Sequence, residues 1–497
     1  MNKKNIYIFG MVFLIIAALV FYGFYVRDSY SEDPASAISE NCNRYNISVI
    51  FNPDEKIING VQQVSVINNS SDEWKELYFH LYPNAFKTLD SCPFPKEEIE
   101  AAYPKGFLPG FIDIEKIETK NGLLKFEIND TILKVQLQKP LKPGQQVQIS
   151  MEFKDLLPPS LGRFGYGQYS FNIANWYPIL AVYDENGWNK DPYYPIGDPF
   201  YSDVAIYEVK IKAPKQYEIA STGSVEEKKE DGTWCNWTFK TGLVRDFAWI
   251  ASDTFKTCTD KVGKTTITSY YLPKDAASGK KALDFAKNAI SFFNEYFGVY
   301  PYSNYSVAAS DFYIGGMEFP NLVIIGEQLY GQQDILEYVV AHETAHQWWY
   351  GIVGNNEIKE PWLDESLTEF STVLYFEHVY GKKTGDTFYE DYILNPYRFY
   401  ELGHTSGHIL RPLSEFSDWG EYDAVIYSRG AIVLRELERR VGKAKFREAL
   451  RVYFQQNMYK NASTQDFIEA LNRVTGTDWT DYILNQLNSS EPLKDAA

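Results

Sequence analysis

Two histidines stand four residues apart in the run His342-Glu343-Thr344-Ala345-His346. The apolar spacing from Asp334 to Tyr350 predicts a helix here. A four-residue step puts both imidazoles on one face, a turn apart. Imidazoles so placed can bind one zinc ion, and Glu343 between them can reach water at the metal. The chain has only 6 His, so chance is a poor explanation of the spacing; two surface histidines on an amphipathic helix are the plainer alternative. A catalytic zinc needs a third protein ligand and an open fourth position. Glu365 follows after 18 intervening residues, in Trp362-Leu363-Asp364-Glu365-Ser366, in the first turn of the next predicted helix. A helix, a loop and an antiparallel helix would bring it beside the histidines. Glu369, one turn on, either hydrogen-bonds a ligand imidazole or is a solvated helix carboxylate. Upstream lies Gly315-Gly316-Met317-Glu318-Phe319-Pro320. Its glycines admit close backbone approach, and its carboxylate can pair with an amine. A glycine pair alone more often marks a turn.

These groups need elements to hold them. From about residue 40 to 260 the hydrophobic period is two. Leu133, Val135 and Leu137 alternate with polar residues, as do Val147, Ile149, Met151 and Phe153; Val64 with Val66, and Val204 with Ile206, repeat the pattern. Strands with one buried face, broken by Pro, Gly and Asn clusters, predict an antiparallel β domain. After about residue 260 the period becomes helical. Helices are expected over 282–297, 334–350, 364–380, 427–440, 443–456 and 464–474, with a few strands near 305–325. Ser463 with Asp466 resembles a capping start for the last of them.

At 497 residues, two or more domains are expected. A formal net charge of -18 without basic runs argues against nucleic acid as a partner. Lys3 and Lys4 precede an apolar run from Ile6 to Val26. That run would extend about 31 Å as a helix, enough for a hydrocarbon core. The charge order favours an inside N-terminus and an outside body, with 1–30 as membrane anchor and 31–40 as tether. Secretion after signal cleavage, with Ala35-Ser36-Ala37 as a late site, is the alternative. An extracytoplasmic body permits disulfides. Cys42 with Cys92 and Cys235 with Cys258 are plausible pairs, and buried thiols the alternative.

Taken with Tyr427-Ser428-Arg429-Gly430-Ala431, the Gly-Gly-Met-Glu stretch, the helix continuing into Gln347-Trp348-Trp349, and Glu365 in its Trp-Leu-Asp-Glu setting resemble one family. It is the membrane alanyl aminopeptidase (aminopeptidase N-like) family of gluzincin zinc metallopeptidases, related to leukotriene hydrolase. The resemblance covers roughly residues 40 to 490. It implies a multidomain α+β fold: an N-terminal antiparallel β-sandwich or saddle domain over 41–260, then a thermolysin-like, mainly helical catalytic domain over 261–497. It implies that His342, His346 and Glu365 bind one Zn2+, that Glu343 is the general base, and that Tyr427 stabilises the tetrahedral intermediate. Glu318 would bind the substrate α-amine, with Gly315, Gly316 and Met317 beside it. The implied partners are peptides with a free N-terminus. Three features depart from the family. Phe319 and Pro320 follow Met-Glu where Asn is common, Arg429 replaces the usual Lys, and the chain ends soon after the catalytic region. For the family's further substrate contact from the β domain, Asn172 and Asn175 are the candidates. An endopeptidase of the same fold and a non-catalytic peptide-binding receptor remain as rivals.

Overall fold

A computed structural model gives the fold, and the residues it describes are 34–404 and 407–491. The chain divides into a unit ending at Asn41, in which Pro34–Glu40 is helical, and a unit from Cys42 onward. Among the described residues no helix is long and apolar enough to cross a membrane. The apolar run Ile6 to Val26 lies outside them.

The large unit begins with β structure. Its main sheet has eight strands, in spatial order Ser224–Asp231, Trp234–Val244, Ala205–Pro214, Asn43–Asn52, Ile57–Ile67, Gln146–Leu156, Phe111–Thr119 and Gly122–Leu123. The pairing is antiparallel except where Asn43–Asn52 runs parallel to Ala205–Pro214. Alternation produces the buried face as expected: Ile149, Met151 and Phe153 point in, and so do Val64 and Val66. One strand differs. In Ala205–Pro214 the buried set is Ala205, Tyr207, Val209, Ile211 and Ala213, so Ile206 falls on the other, half-buried face. Two four-stranded sheets and a two-stranded ladder of Tyr183–Asp184 with Gly187–Trp188 complete the region. The core between is aromatic: Phe51 meets Phe171 and Trp249 edge-on, and Tyr45 stacks on Tyr207 at 4.8 Å.

Neither plausible disulfide is formed, and the alternative holds: all four cysteines are thiols. Topology separates them. Cys235 lies in the eight-stranded sheet and Cys258 in a five-stranded sheet of the helical half, while Cys92 faces the Tyr103 hydroxyl at 3.7 Å.

Burial also sets a pH dependence here. His80 is 2% exposed and its Nδ1 has no hydrogen-bond partner. Burial pushes its imidazole down to about 4, and a backbone bond with Asn189 only partly opposes this. The unfolded chain takes up this proton near pH 6.5, whereas the folded chain resists it. Stability tied to His80 is therefore complete above about pH 6.5 and lost as pH falls toward 4. The loss is on the order of 3 kcal/mol. Urea midpoints at pH 7.5 and 4.5 should fall further apart in the wild type than in His80→Gln; equal falls would contradict this.

The second half opens with a five-stranded sheet in the order Lys256–Val262, Thr265–Tyr271, Asn304–Ser310, Leu322–Gly326, Gly316–Met317. Its first strand straddles residue 260. The strand Leu322–Gly326 is wholly buried, packed against the helix Gln333–Ala345. Gly316–Met317 pairs on one side only and is the sheet's edge. The helix Ala276–Tyr296 packs on the first two strands, and the helix Trp362–Tyr380 lies beside Gln333–Ala345. Lys443–Asn457 and Thr464–Thr475 follow as expected, the latter with a complete Ser463/Asp466 capping box.

Candidate active site

The helix carrying the histidines ends at Ala345, five residues short of the expected Tyr350. His346 still has helical dihedrals. Beyond it the chain turns sharply: Gly351, Ile352 and Val353 donate their N–H groups to the carbonyls of His346, Gln347 and Trp348. Trp348, Trp349 and Tyr350 are buried in and after this turn. Tyr350 sits at a φ of 128°, and Arg245 Nε holds its carbonyl at 2.6 Å. This turn leads to the next helix and to Glu365.

Three atoms then converge. The His342 and His346 Nε2 atoms are 3.2 Å apart, and Glu365 Oε2 is 3.4 Å from the first and 3.2 Å from the second. A tetrahedral ion with ligands about 2.0–2.1 Å away has ligand–ligand edges of about 3.3 Å. The triangle is one face of that tetrahedron, and two imidazoles with one carboxylate are a donor set that zinc accepts. The residues fit the ion that their sequence implies. Outer contacts aim the rings: His342 Nδ1 meets Glu369 Oε2 at 2.8 Å, and His346 Nδ1 meets the Trp349 carbonyl at 3.0 Å. Glu369 in turn accepts from the Tyr338 hydroxyl at 3.0 Å. It is 1% exposed, so it is a buried partner of the His342 ring rather than a solvated helix carboxylate. Burial alone would raise the Glu365 carboxyl, but the two imidazoles hold it far below the usual range.

Glu343 and Glu318 lie at the same centre. One donor atom each from Glu318, Glu343 and His346 falls within 4.8 Å of the others. Glu343 Oε2 and Glu318 Oε1 are buried and have no hydrogen-bond partner. Burial pushes both carboxyls up, and the imidazoles oppose it. Gly316 passes so close to Glu343 that a Cβ there would lie 2.3 Å from Oε1, which gives that glycine a specific reason. Gly315 is looser, its nearest neighbour Val339 at 3.7 Å. Met317 is buried, and its sulfur accepts from Arg163 Nε at 3.0 Å.

Gln347 locks the loop behind Glu318. Its Oε1 accepts from Asn321 N at 2.9 Å and its Nε2 donates to the Phe319 carbonyl at 3.2 Å. Phe319, which departs from the family pattern, is fully buried.

Tyr427 stands across the centre. Its hydroxyl donates to Glu365 Oε1 at 2.5 Å, and its ring stacks on His342 at 5.8 Å. It lies not in an α-helix but in a π-helical turn, Asp423–Arg429. Ser366 Oγ donates to the Ile426 carbonyl at 2.6 Å, and the bare Gly430 lets Ser366 approach. Three residues flagged in the sequence do other work. Arg429 holds the Tyr397 hydroxyl and the Ser489 carbonyl, tying down the C-terminal helix. Asn172 spends its amide on the Gly162 and Asp311 carbonyls, and Asn175 on Asp246.

The β region contributes Asp198 instead, with an oxygen within 4.8 Å of Glu318 and Glu365. Arg163 binds it through NH2. Burial raises the Asp198 carboxyl to about 8 despite Arg163. Sequence spacing carries no sign of either residue, since the fold brings them from more than 100 residues away.

Residues 281–487 match the family model described as the peptidase family M1 domain. These residues carry the chain's likeness to peptidase family M1. The chain is 25% identical over 295 residues to the probable aminopeptidase 2 of Sulfurisphaera tokodaii, covering 55% of this chain and 36% of the relative. To the glutamyl aminopeptidase of Sus scrofa it is 28% identical over 345 residues, covering 65% and 36%. The chain thus spans little more than a third of the length of these relatives. In fold it is similar to an M1 zinc metallopeptidase from Deinococcus radiodurans, with a TM-score of 0.65, 17% identity, and coverage of 92% of this chain and 96% of that one. A point mutant of the Deinococcus protein, bound to a Tyr-Ser-Ala substrate, superposes with the same TM-score of 0.65.

Proposed function

We propose that the chain is a zinc aminopeptidase that removes the first residue from peptides with a free N-terminus. The observation that carries this reading is the Glu318 carboxylate, buried and partnerless beside the metal triangle. A buried carboxylate without a partner is costly, and a substrate ammonium is the partner that relieves it. Fixing that ammonium sets the first peptide bond over the centre and leaves no room for a chain upstream.

His342, His346 and Glu365 would hold the zinc ion, which when bound would supply Lewis acidity to the carbonyl and lower the pKa of water toward neutral. Glu343 takes the proton from the attacking water and returns it to the leaving nitrogen. The Tyr427 hydroxyl donates to the oxygen that gains negative charge. Glu369 and the Trp349 carbonyl keep the imidazoles aimed. The edge strand Gly316–Met317 offers backbone groups to an extended substrate.

Glu318→Ala should lower kcat/KM on alanyl-coumarin amide by about 100-fold or more, and on its N-acetylated form by far less. Equal losses would remove the amine-binding role and favour an endopeptidase. We also propose that the body works outside the membrane on an anchor formed by Ile6 to Val26; release of the full-length protein by alkaline carbonate would contradict this.

A further inference from the structure

Arg245 is a cation of the β region that the catalytic steps above do not use. It follows the strand Trp234–Val244 directly and is 2% exposed. Its guanidinium donates to fixed oxygens from distant parts of the chain. Nε reaches the Tyr350 carbonyl at 2.6 Å, Nη1 the Ser202 carbonyl at 2.9 Å and Asn461 Oδ1, and Nη2 the Lys460 carbonyl. Gly354 makes room for it, since a Cβ there would overlap the guanidinium. A planar fork with its donors so engaged has little freedom to move.

The point it holds lies on a path to the metal triangle. Tyr350 has a φ of 128°, a conformation that a bulky residue keeps only where its surroundings impose it. Both of its backbone groups are held: the N–H donates to the Val353 carbonyl at 2.8 Å, and the carbonyl accepts from Arg245. The Tyr350 N–H shares one planar peptide unit with the Trp349 carbonyl, and trans geometry points the two in opposite directions. That carbonyl is the acceptor 3.0 Å from His346 Nδ1. Rotation of this peptide unit would carry the acceptor away from the ring. Thr368 Oγ1 lies 3.2 Å from the same nitrogen, so the ring has another partner to turn toward. His346 Nε2 is 3.2 Å from Glu365 Oε2 and 3.2 Å from His342 Nε2, and a turn of the ring would open that triangle.

We propose that Arg245 is a positioning residue for the metal centre. By clamping Tyr350 it holds the Trp349 peptide unit, and through that unit it keeps the His346 ring in the orientation that zinc requires. The β region thereby sets metal affinity without supplying a ligand. Partners that orient a ligand imidazole typically change metal affinity by about 10- to 100-fold when they are lost. An arginine that only fastened the β region to the helical half would alter stability and leave the metal site as it is.

The test is the zinc affinity of the full-length protein, measured by competition with a fluorescent chelator and so independent of turnover. Arg245→Met keeps most of the side chain's bulk and removes its donors. Its zinc dissociation constant should rise by about 10- to 100-fold, and the visible absorption bands of its cobalt-loaded form should shift. Arg245→Lys keeps the charge and one donor for the Tyr350 carbonyl, so it should recover part of the loss and still bind zinc about threefold or more weakly than wild type. The lysine variant carries the comparison if the methionine variant does not fold. The proposal rests on the zinc ligand set above; zinc uptake by the wild type tests that set, so the two failures stay separate. A folded methionine variant, or a folded lysine variant where methionine fails, with a wild-type zinc dissociation constant and an unshifted cobalt spectrum would overturn the role of Arg245, whatever its melting temperature.

Discussion

Glu343→Gln is expected to lower kcat on unblocked amino-acyl amides by about 10³-fold or more while zinc remains bound at one ion per chain. The substitution keeps the size of the side chain and removes its basicity. Glu343 has no hydrogen bond on Oε2, and its neighbours are Glu318 and His346 rather than any structural partner. The fold therefore loses nothing that glutamine cannot supply. Bulk water can replace the lost base only poorly, because the site is buried and the proton must reach the leaving nitrogen. A variant that kept within tenfold of wild-type kcat, with zinc bound, would show that the proton takes another route.

Tyr427→Phe has the second-largest expected effect, a fall in kcat of about 10²–10³, worth ~3–4 kcal/mol of transition-state stabilisation. Its hydroxyl is the donor nearest the Glu365 side of the triangle. The stacked ring on His342 persists in phenylalanine, so packing should survive. The loss should fall on kcat, with KM little changed, because the oxygen accepts the bond strongly only when charged. An unchanged kcat would reduce Tyr427 to an orienting partner of Glu365. Zinc content measured on the same variant separates the two cases.

Much of this arrangement could be read from local spacing. His342 and His346 converge because a helical step of four is a geometric necessity, and Glu365 joins them because the next helix starts at Trp362 and packs alongside. Ser463 and Asp466 predict their own cap because both partners lie within one turn. What escaped the sequence depends on tertiary contacts. Tyr427 was legible only through the family resemblance, because the π turn it occupies inserts an extra residue into the helical register and breaks any count by periodicity. Asp198 and Arg163 reach the site from the β region, and Gln347 acts by bracing a loop some 25 residues earlier in the chain. Arg429, noted only as a departure from the usual Lys, anchors the C-terminal segment with its guanidinium. The cysteines mislead for the same reason: suitable spacing along the chain says nothing about which sheet each thiol joins.

The most direct test of the central claim is a zinc titration of metal-stripped full-length protein, read by hydrolysis of alanyl-coumarin amide. Activity should be absent at the start, rise linearly, and stop rising at one equivalent of zinc. Hydrolysis by the stripped protein, or none at any zinc level by folded protein that binds the ion, would contradict the account of one metal held by His342, His346 and Glu365 acting on a free N-terminus.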